Sequence, residues 1–270
     1  MPRSARARAN QRLERANWDD FWLPNDVQVI ERPEIKYYVC ARPVHYLNQV
    51  VRTRAHAGRL PALVAEVTGA HAHAPARWNV FDTVPTTALE QELERAGYRQ
   101  LPGAHAMVRD TAGFRPSGKG AGLRVRVVDD RSSLLDSIRV MERTFDHETE
   151  HSEAELADLQ SRCTGPAARI VRMVAYQEDG PAITTGAMSL FPDLDLGYLW
   201  GGSTLPDARG QGGYSAVLAA RIEYAQRRGI GLVGLHAIVD TSAPIVAALG
   251  FERCGSMGKW ARDALHSPAL

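Results

Sequence analysis

A glycine-rich segment at residues 209–214, Arg-Gly-Gln-Gly-Gly-Tyr, combines residue types that suit the binding of an anion. It lies between a strand-like run that ends at Trp200 and a run of apolar residues with helical spacing that begins at Ala216. A loop that brings several backbone N–H groups to the start of a helix binds anions, and phosphates in particular. The three glycines would let the backbone approach a phosphate closely, and the arginine would add a charged contact.

This segment resembles the acyl-CoA pyrophosphate loop of the GCN5-related N-acetyltransferases, the GNAT superfamily. The family pattern is Gln/Arg-x-x-Gly-x-Gly/Ala, and Arg209 and Gly212 match its first and fourth positions. Thr204-Leu205-Pro206 resembles the segment that precedes the loop, whereas Tyr214 stands where the family has glycine or alanine. Residues 241–251 resemble the last helix of the family, so that the resemblance covers most of the second half of the chain.

The resemblance implies an α/β fold of the α+β type, in which helices flank a mixed, mostly antiparallel twisted sheet. The N-terminal part weakly repeats the order of elements in the second half of that fold, and its Ala96-Gly97-Tyr98 matches Leu249-Gly250-Phe251. It lacks a glycine-rich loop, so we predict a degenerate, smaller GNAT-like half domain. The predicted division is an arm at 1–25, the half domain at 26–112, a linker at 113–121 and a catalytic GNAT domain at 122–270.

The elements that must position the loop follow from local patterns. Apolar residues with helical spacing predict an amphipathic helix at 132–145, and Gly201-Gly202 predicts a bulge in the strand before the loop. In the N-terminal part, the pattern predicts a strand pair that starts at Tyr98. Near the C-terminus it predicts separate strands around Phe251 and Lys259.

The implied activity is acyl-CoA-dependent N-acyl transfer with acetyl-CoA as the cosubstrate and direct attack by an amine. The residues predicted to hold acetyl-CoA are Gly202, Ser203, Thr204, Arg209, Gly210, Gln211, Gly212, Gly213, Tyr214 and Ser242. Many family members have a glutamate on the fourth strand and a tyrosine on the last helix, and this chain has neither. A CoA-binding sensor or scaffold without catalysis is therefore the alternative.

The general base and the general acid are left open between several residues. His236, on the predicted fifth strand, has an imidazole whose ordinary pKa is near neutrality, and Asp240 follows that strand. Either residue is a candidate base. Ser242, a water molecule or Tyr214 is the candidate donor of a proton to the thiolate.

The acceptor is predicted to be a small-molecule amine rather than a protein. Asp146 and Glu148 would attract a cationic amine, and Trp200 would contact it. The same acidic stretch reads His-Glu-x-x-His from His147 to His151, the spacing of zinc hydrolases. Because the stretch is polar on all sides and no third ligand motif follows it, we predict no metal and keep a zinc hydrolase as a remote alternative.

Composition limits the other classes of function. The chain has 270 residues, 44% of them hydrophobic, and a formal net charge of +1, which argues against a nucleic-acid partner. The three cysteines are far apart and form no CxxC motif, which favours a reducing compartment. No run is long and apolar enough for a membrane span, and the arginine-rich start lacks the apolar segment of a secretory signal. We expect a cytoplasmic monomer or homodimer.

Overall fold

The computed structural model describes residues 1–116, 118, 120–145, 151–165, 168–178 and 180–264. The chain divides into two compact units, of which the first contains residues 1–107 and 236–270 and the second contains residues 108–235. The boundary crosses two strands, β5 (Arg99–Asp110) and β10 (Leu232–Ile238). Each unit therefore contains part of both strands.

The first unit is built on a mixed sheet. Its helices are α1 (Arg3–Asn17), α2 (Leu60–Ala70), α3 (Thr87–Arg95) and α7 (Ser242–Ala248). Its other strands are β1 (Gln28–Arg32), β2 (Ile35–Val39), β3 (Gln49–Thr53), β4 (Ala76–Phe81) and β11 (Glu252–Arg262). The strand order is β1-β2-β3-β4-β11-β5, with β3 and β4 parallel and β4 and β11 antiparallel.

Large apolar side chains form the core of this unit. Leu63 of α2 and Leu93 of α3 are fully buried in the same cluster as Trp78 of β4. The indole of Trp78 donates a hydrogen bond to Thr53 Oγ1 over 3.0 Å, so its one polar atom is satisfied. Leu13 of α1 is also fully buried, which ties the predicted N-terminal arm into this unit.

The second unit contains the glycine-rich loop. Its strands are β6 (Leu123–Val127), β7 (Ile170–Gln177), β8 (Ala182–Phe191), β9 (Leu196–Thr204) and the first part of β10. They lie in the order β10-β9-β8-β7-β6, with β9 and β10 parallel and the other pairs antiparallel. Its helices are α4 (Arg131–Phe145), α5 (Glu153–Cys163) and α6 (Gly213–Arg227).

Two helices cover opposite faces of the second sheet. Ser137 of α4 and Thr185 of β8 share a buried hydrogen bond of 2.7 Å between their hydroxyl groups. Arg221 of α6 instead lies against Gly186, the next residue of β8. Because successive residues of a strand point to opposite faces, α4 and α6 lie on different sides of the sheet.

The predicted fold class is confirmed, since both units combine helices with mixed, mostly antiparallel sheets. Two predicted details are wrong. The strand pair expected from Tyr98 is the single strand β5. The chain does not turn at Pro102-Gly103, and Gly103 O accepts a hydrogen bond from Val239 N–H. The separate strands expected around Phe251 and Lys259 are the single strand β11.

The end of the chain groups differently from the predicted division. Residues 236–270 belong to the first unit, because β11 pairs with β4 from Met257 opposite Phe81 to Arg262 opposite Ala76. The predicted catalytic domain at 122–270 includes this segment. The start of the second unit at Val108 lies close to the predicted linker. Among the described residues, no helix has the length and apolar composition needed to cross a membrane.

Candidate functional site

The strand that leads to the glycine-rich loop contains the predicted bulge. Thr185 of β8 pairs with Ser203 of β9, and Ala187 pairs with Trp200. Gly201 and Gly202 therefore lie opposite the single residue Gly186. Gly201 has a φ of +59°, which is a backbone conformation that suits glycine, and this arrangement is a β-bulge.

The edge of β9 is open beyond its first residues. The parallel pairing with β10 runs from Leu196 opposite Leu232 to Tyr198 opposite Gly234. In the described part of the chain, β9 has no β10 partner from Leu199 onward. A strand edge with free backbone groups can hydrogen-bond an extended ligand as though the ligand were a further strand.

The loop that follows presents its backbone amides without acceptors. After a short 3₁₀ turn at Pro206–Ala208, Gly210 and Gly212 adopt left-handed conformations with φ of +80° and +84°, and Gly212 caps helix α6. Within the described residues, no acceptor is hydrogen-bonded to the N–H groups of residues 210–215. A helix start with free N–H groups is an anion site because the helix dipole adds to their partial positive charge.

The side chains around the loop are polar, and some of them are exposed. Arg209 is exposed and forms no ion pair with any described residue. Gln211 accepts a hydrogen bond from Gln177 Nε2 over 2.9 Å. Thr204 Oγ1 accepts one from Thr184 over 3.1 Å, whereas the hydroxyl of Ser203 is buried and has no partner among the described groups. Arg209 is therefore available to a bound anion.

The side chains of Tyr214 and of a buried arginine, Arg221, pack against the bulge. A Cβ at Gly202 would be 2.9 Å from the ring of Tyr214 and 3.8 Å from the guanidinium of Arg221, so both side chains pack against the bulge. Burial raises the pKa of Tyr214, and the charge of Arg221 opposes that rise. The phenol therefore remains protonated at neutral pH.

Arg221 was not predicted as a site residue. It is 1% exposed, and its Nη1 donates hydrogen bonds to Ala187 O over 2.8 Å and to Trp200 O over 3.4 Å. Burial lowers its pKa to about 10. The signal in the sequence was an arginine within the apolar stripe of α6, between Leu218 and Ile222.

The predicted base and one predicted acid lie in the first unit. His236 is partly buried, and its Nδ1 is 3.2 Å from Asn17 Nδ2. Burial and the charge of Lys259 lower its pKa to about 3, which makes its neutral ring a weak base. Asp240 is exposed in the turn after β10. Ser242 Oγ accepts a hydrogen bond from Ile238 N–H over 2.8 Å.

Part of the predicted acceptor region lies outside the described residues, namely Asp146, His147 and Glu148. His151 is described and lies 3.7 Å from Glu142. The described residues contain no group of three or more potential metal ligands. Trp200 lies directly before the bulge, with its Nε1 donating a hydrogen bond to Ser189 Oγ over 3.0 Å.

Comparison with solved structures identifies the fold. A GCN5-related N-acetyltransferase from Kribbella flavida is similar with a TM-score of 0.65 at 15% identity, over 100% of this chain and 96% of that one. A second, from Sphaerobacter thermophilus, has a TM-score of 0.65 at 16% identity, over 100% and 96%. This chain has a GNAT fold.

The likeness extends to a two-part GNAT protein. A tandem GNAT protein from the clavulanic acid biosynthesis pathway has a TM-score of 0.59 at 15% identity, over 96% of this chain and 89% of that one. No protein-family model and no curated protein matches the sequence. The resemblance inferred from the loop is therefore confirmed at the level of the GNAT fold.

Proposed function

We propose that this chain is an acyl-CoA-dependent N-acyltransferase that uses acetyl-CoA and acts on the amine of a small molecule. The observation that carries this proposal is the row of backbone N–H groups at residues 210–215, which have no acceptor among the described residues and lie next to the open edge of β9. The GNAT fold supports acyl transfer in general. The cosubstrate and the acceptor are our own inference.

The residues present fit this cosubstrate. The free amides of the loop and the exposed Arg209 suit a pyrophosphate, which carries several negative charges. The open edge of β9 at residues 202–204 suits the amide groups of an extended pantetheine arm. Acetyl-CoA would supply a thioester-activated acyl group.

The chain's own residues would then position the reactants and move protons. Direct attack by the amine needs no covalent enzyme intermediate, so positioning contributes much of the rate. His236 or Asp240 would take the proton from the attacking ammonium. Tyr214, Ser242 or water would protonate the leaving thiolate, and the protonated phenol of Tyr214 is suited to donate.

The first test is calorimetric titration with acetyl-CoA. We expect micromolar binding by the wild type and loss of binding in Gly212→Glu, which places a carboxylate among the amides of the loop. Gly229→Glu is the matched control, because Gly229 also has a positive φ, of +72°, with no atom close to a Cβ, and lies at the other end of α6. If Gly212→Glu binds acetyl-CoA as tightly as the wild type and Gly229→Glu do, the proposed phosphate site is refuted.

A second candidate function is a CoA-binding sensor without catalysis. It is favoured by the absence of glutamate from β9 and of tyrosine from α7, and by the low pKa of His236. Thiol release from acetyl-CoA with a broad panel of amines distinguishes the two functions. Binding with no turnover of any amine would favour the sensor.

A further inference from the structure

A row of three residues crosses the second sheet next to the bulge. Arg172 of β7 pairs with Ala187 of β8, which in turn pairs with Trp200 of β9. The small side chain of Ala187 leaves room between its neighbours, and the guanidinium of Arg172 lies over the indole of Trp200, 4.9 Å from its centroid. The hydrogen bond from Trp200 to Ser189 holds the indole in this orientation. The stacked pair is therefore fixed by the strand register and by one hydrogen bond.

The charge of Arg172 is not neutralised in the described part of the chain. Its Nη1 lies 3.8 Å from the sulfur of Met141, its Nε is buried without a partner, and no described carboxylate is within ion-pair distance. Burial raises the pKa of the neighbouring Cys163 thiol, and the charge of Arg172 and its hydrogen bond to the thiol oppose that rise. Because the net shift is upward, the thiol is neutral at pH 7 and does not balance the charge of Arg172. Several other arginines of this unit pair with acids, as in Arg126–Asp130, Arg131–Glu153 and Arg162–Asp158.

The stacked pair borders the bulge. Trp200 is the residue before Gly201, and a Cβ at Gly201 would be 4.0 Å from the terminal methyl group of Met141. Arg172 contacts both Met141 and Trp200. A group bound by the guanidinium would thus lie on the α4 side of the bulge.

We propose that Arg172, stacked on Trp200, binds a carboxylate of the acceptor, so that the acceptor is an amine that also carries a carboxylate, such as an amino acid. This inference rests on the proposed function for the acyl transfer, but the carboxylate site itself does not. A guanidinium presents a planar fork of N–H donors that matches a carboxylate, and stacking on an aromatic ring orients that fork. Partial burial strengthens such a contact because water screens it less.

The first experiment uses thiol release to measure the acylation of the common α-amino acids and compares each acid with its carboxamide. In the wild type we expect kcat/KM to be about 10- to 100-fold higher for an accepted acid than for its amide, since a hydrogen-bonded charge pair is worth that factor. Arg172→Met should abolish this ratio and Arg172→Lys should keep part of it. Arg169→Met, which removes an arginine stacked on Phe191 instead, should leave the ratio unchanged.

The second experiment measures binding without turnover. Phenylacetate and phenylacetamide are titrated by calorimetry into the wild type, Arg172→Met and Arg169→Met. We expect tighter binding of the acid by the wild type and by Arg169→Met, with the preference lost in Arg172→Met. Amides that react or bind as well as the acids, or a preference that survives Arg172→Met, would overturn the carboxylate site. If acetyl-CoA does not bind, the proposed function fails while this titration still decides the inference.

Discussion

The hydroxyl of Thr184 occupies the space that a side chain at Gly213 would need. An ideal Cβ built on Gly213 overlaps Thr184 Oγ1 and lies 3.1 Å from Thr184 Cβ. Thr184 is fully buried on β8, and its hydroxyl donates to Thr204 Oγ1 of β9. The first residue of α6 is therefore held directly against the sheet, and the free amides of the loop are placed by β8 as well as by the helix.

Gly213→Ala should consequently push the start of α6 away from the sheet. We expect a loss of about 1–3 kcal/mol in the free energy of unfolding and weaker binding of acetyl-CoA, because overpacking a buried contact has that cost. Thr184→Ala removes the overlapping hydroxyl, so the double variant should lose less than the sum of the single variants. Urea unfolding and calorimetry on the four proteins measure the coupling. Strictly additive losses would contradict the steric explanation.

Local patterns were sufficient for much of the second unit. The helix predicted at 132–145 is α4 (Arg131–Phe145), since its apolar residues repeat with the helical period. The bulge at Gly201-Gly202 was also predicted, because glycine within a strand is typical of a bulge and two adjacent glycines strengthen that signal. The pairing of β11 with β4 could not be predicted in this way, because it joins segments that are far apart in sequence.

The residues of the candidate site differ in the same way: some can be predicted from a short stretch of sequence, and others cannot. The phosphate loop is contiguous, so its chemistry can be recognised in six successive residues. Arg172 and Trp200 are brought together only by the register of three strands, and Arg221 reaches the bulge from the middle of a helix. No spacing along the chain indicates these contacts, and only a sheet with known register shows them.

Tyr214→Phe tests the proton donor. If the phenol protonates the leaving thiolate, its removal should lower kcat by about 100-fold, the lower range for general acid catalysis, without changing the affinity for acetyl-CoA. The ring of Tyr214 is retained in this variant, so its packing against Gly202 is preserved. Steady-state kinetics and calorimetry separate the two effects. An unchanged kcat would assign the proton to Ser242 or to water.

The stability of the first unit should depend on His71 in acid. His71 is fully buried with its Nε2 2.7 Å from Tyr38 O, and burial lowers its pKa to about 4. An unfolded histidine has an ordinary pKa of about 6.5, so between pH 6.5 and 4 the unfolded chain binds more protons. The free energy of unfolding therefore falls as pH decreases through this range, and His71 contributes no slope above it.

Replacing His71 by glutamine removes that contribution. The variant should be less stable than the wild type at pH 7, and the difference should shrink by on the order of 2–3 kcal/mol as pH falls to 4. Urea unfolding across this pH range measures it. His56→Gln, at an exposed position, is the control and should keep the slope of the wild type. A difference that does not vary with pH would show that His71 has the same pKa in the folded and the unfolded chain.

The two candidate bases can be separated by their kinetics. His236 has a pKa of about 3, so at neutral pH its ring has little tendency to take a proton from an ammonium group, for which a base with a pKa near 7 is most effective. We therefore expect His236→Gln to lower kcat only a few-fold. If Asp240 takes the proton instead, Asp240→Asn should lower kcat by about 100-fold or more. Affinity for acetyl-CoA, measured by calorimetry, should remain unchanged in both variants. A larger loss in His236→Gln, with a pH–rate profile whose acid limb disappears, would instead make the imidazole the base.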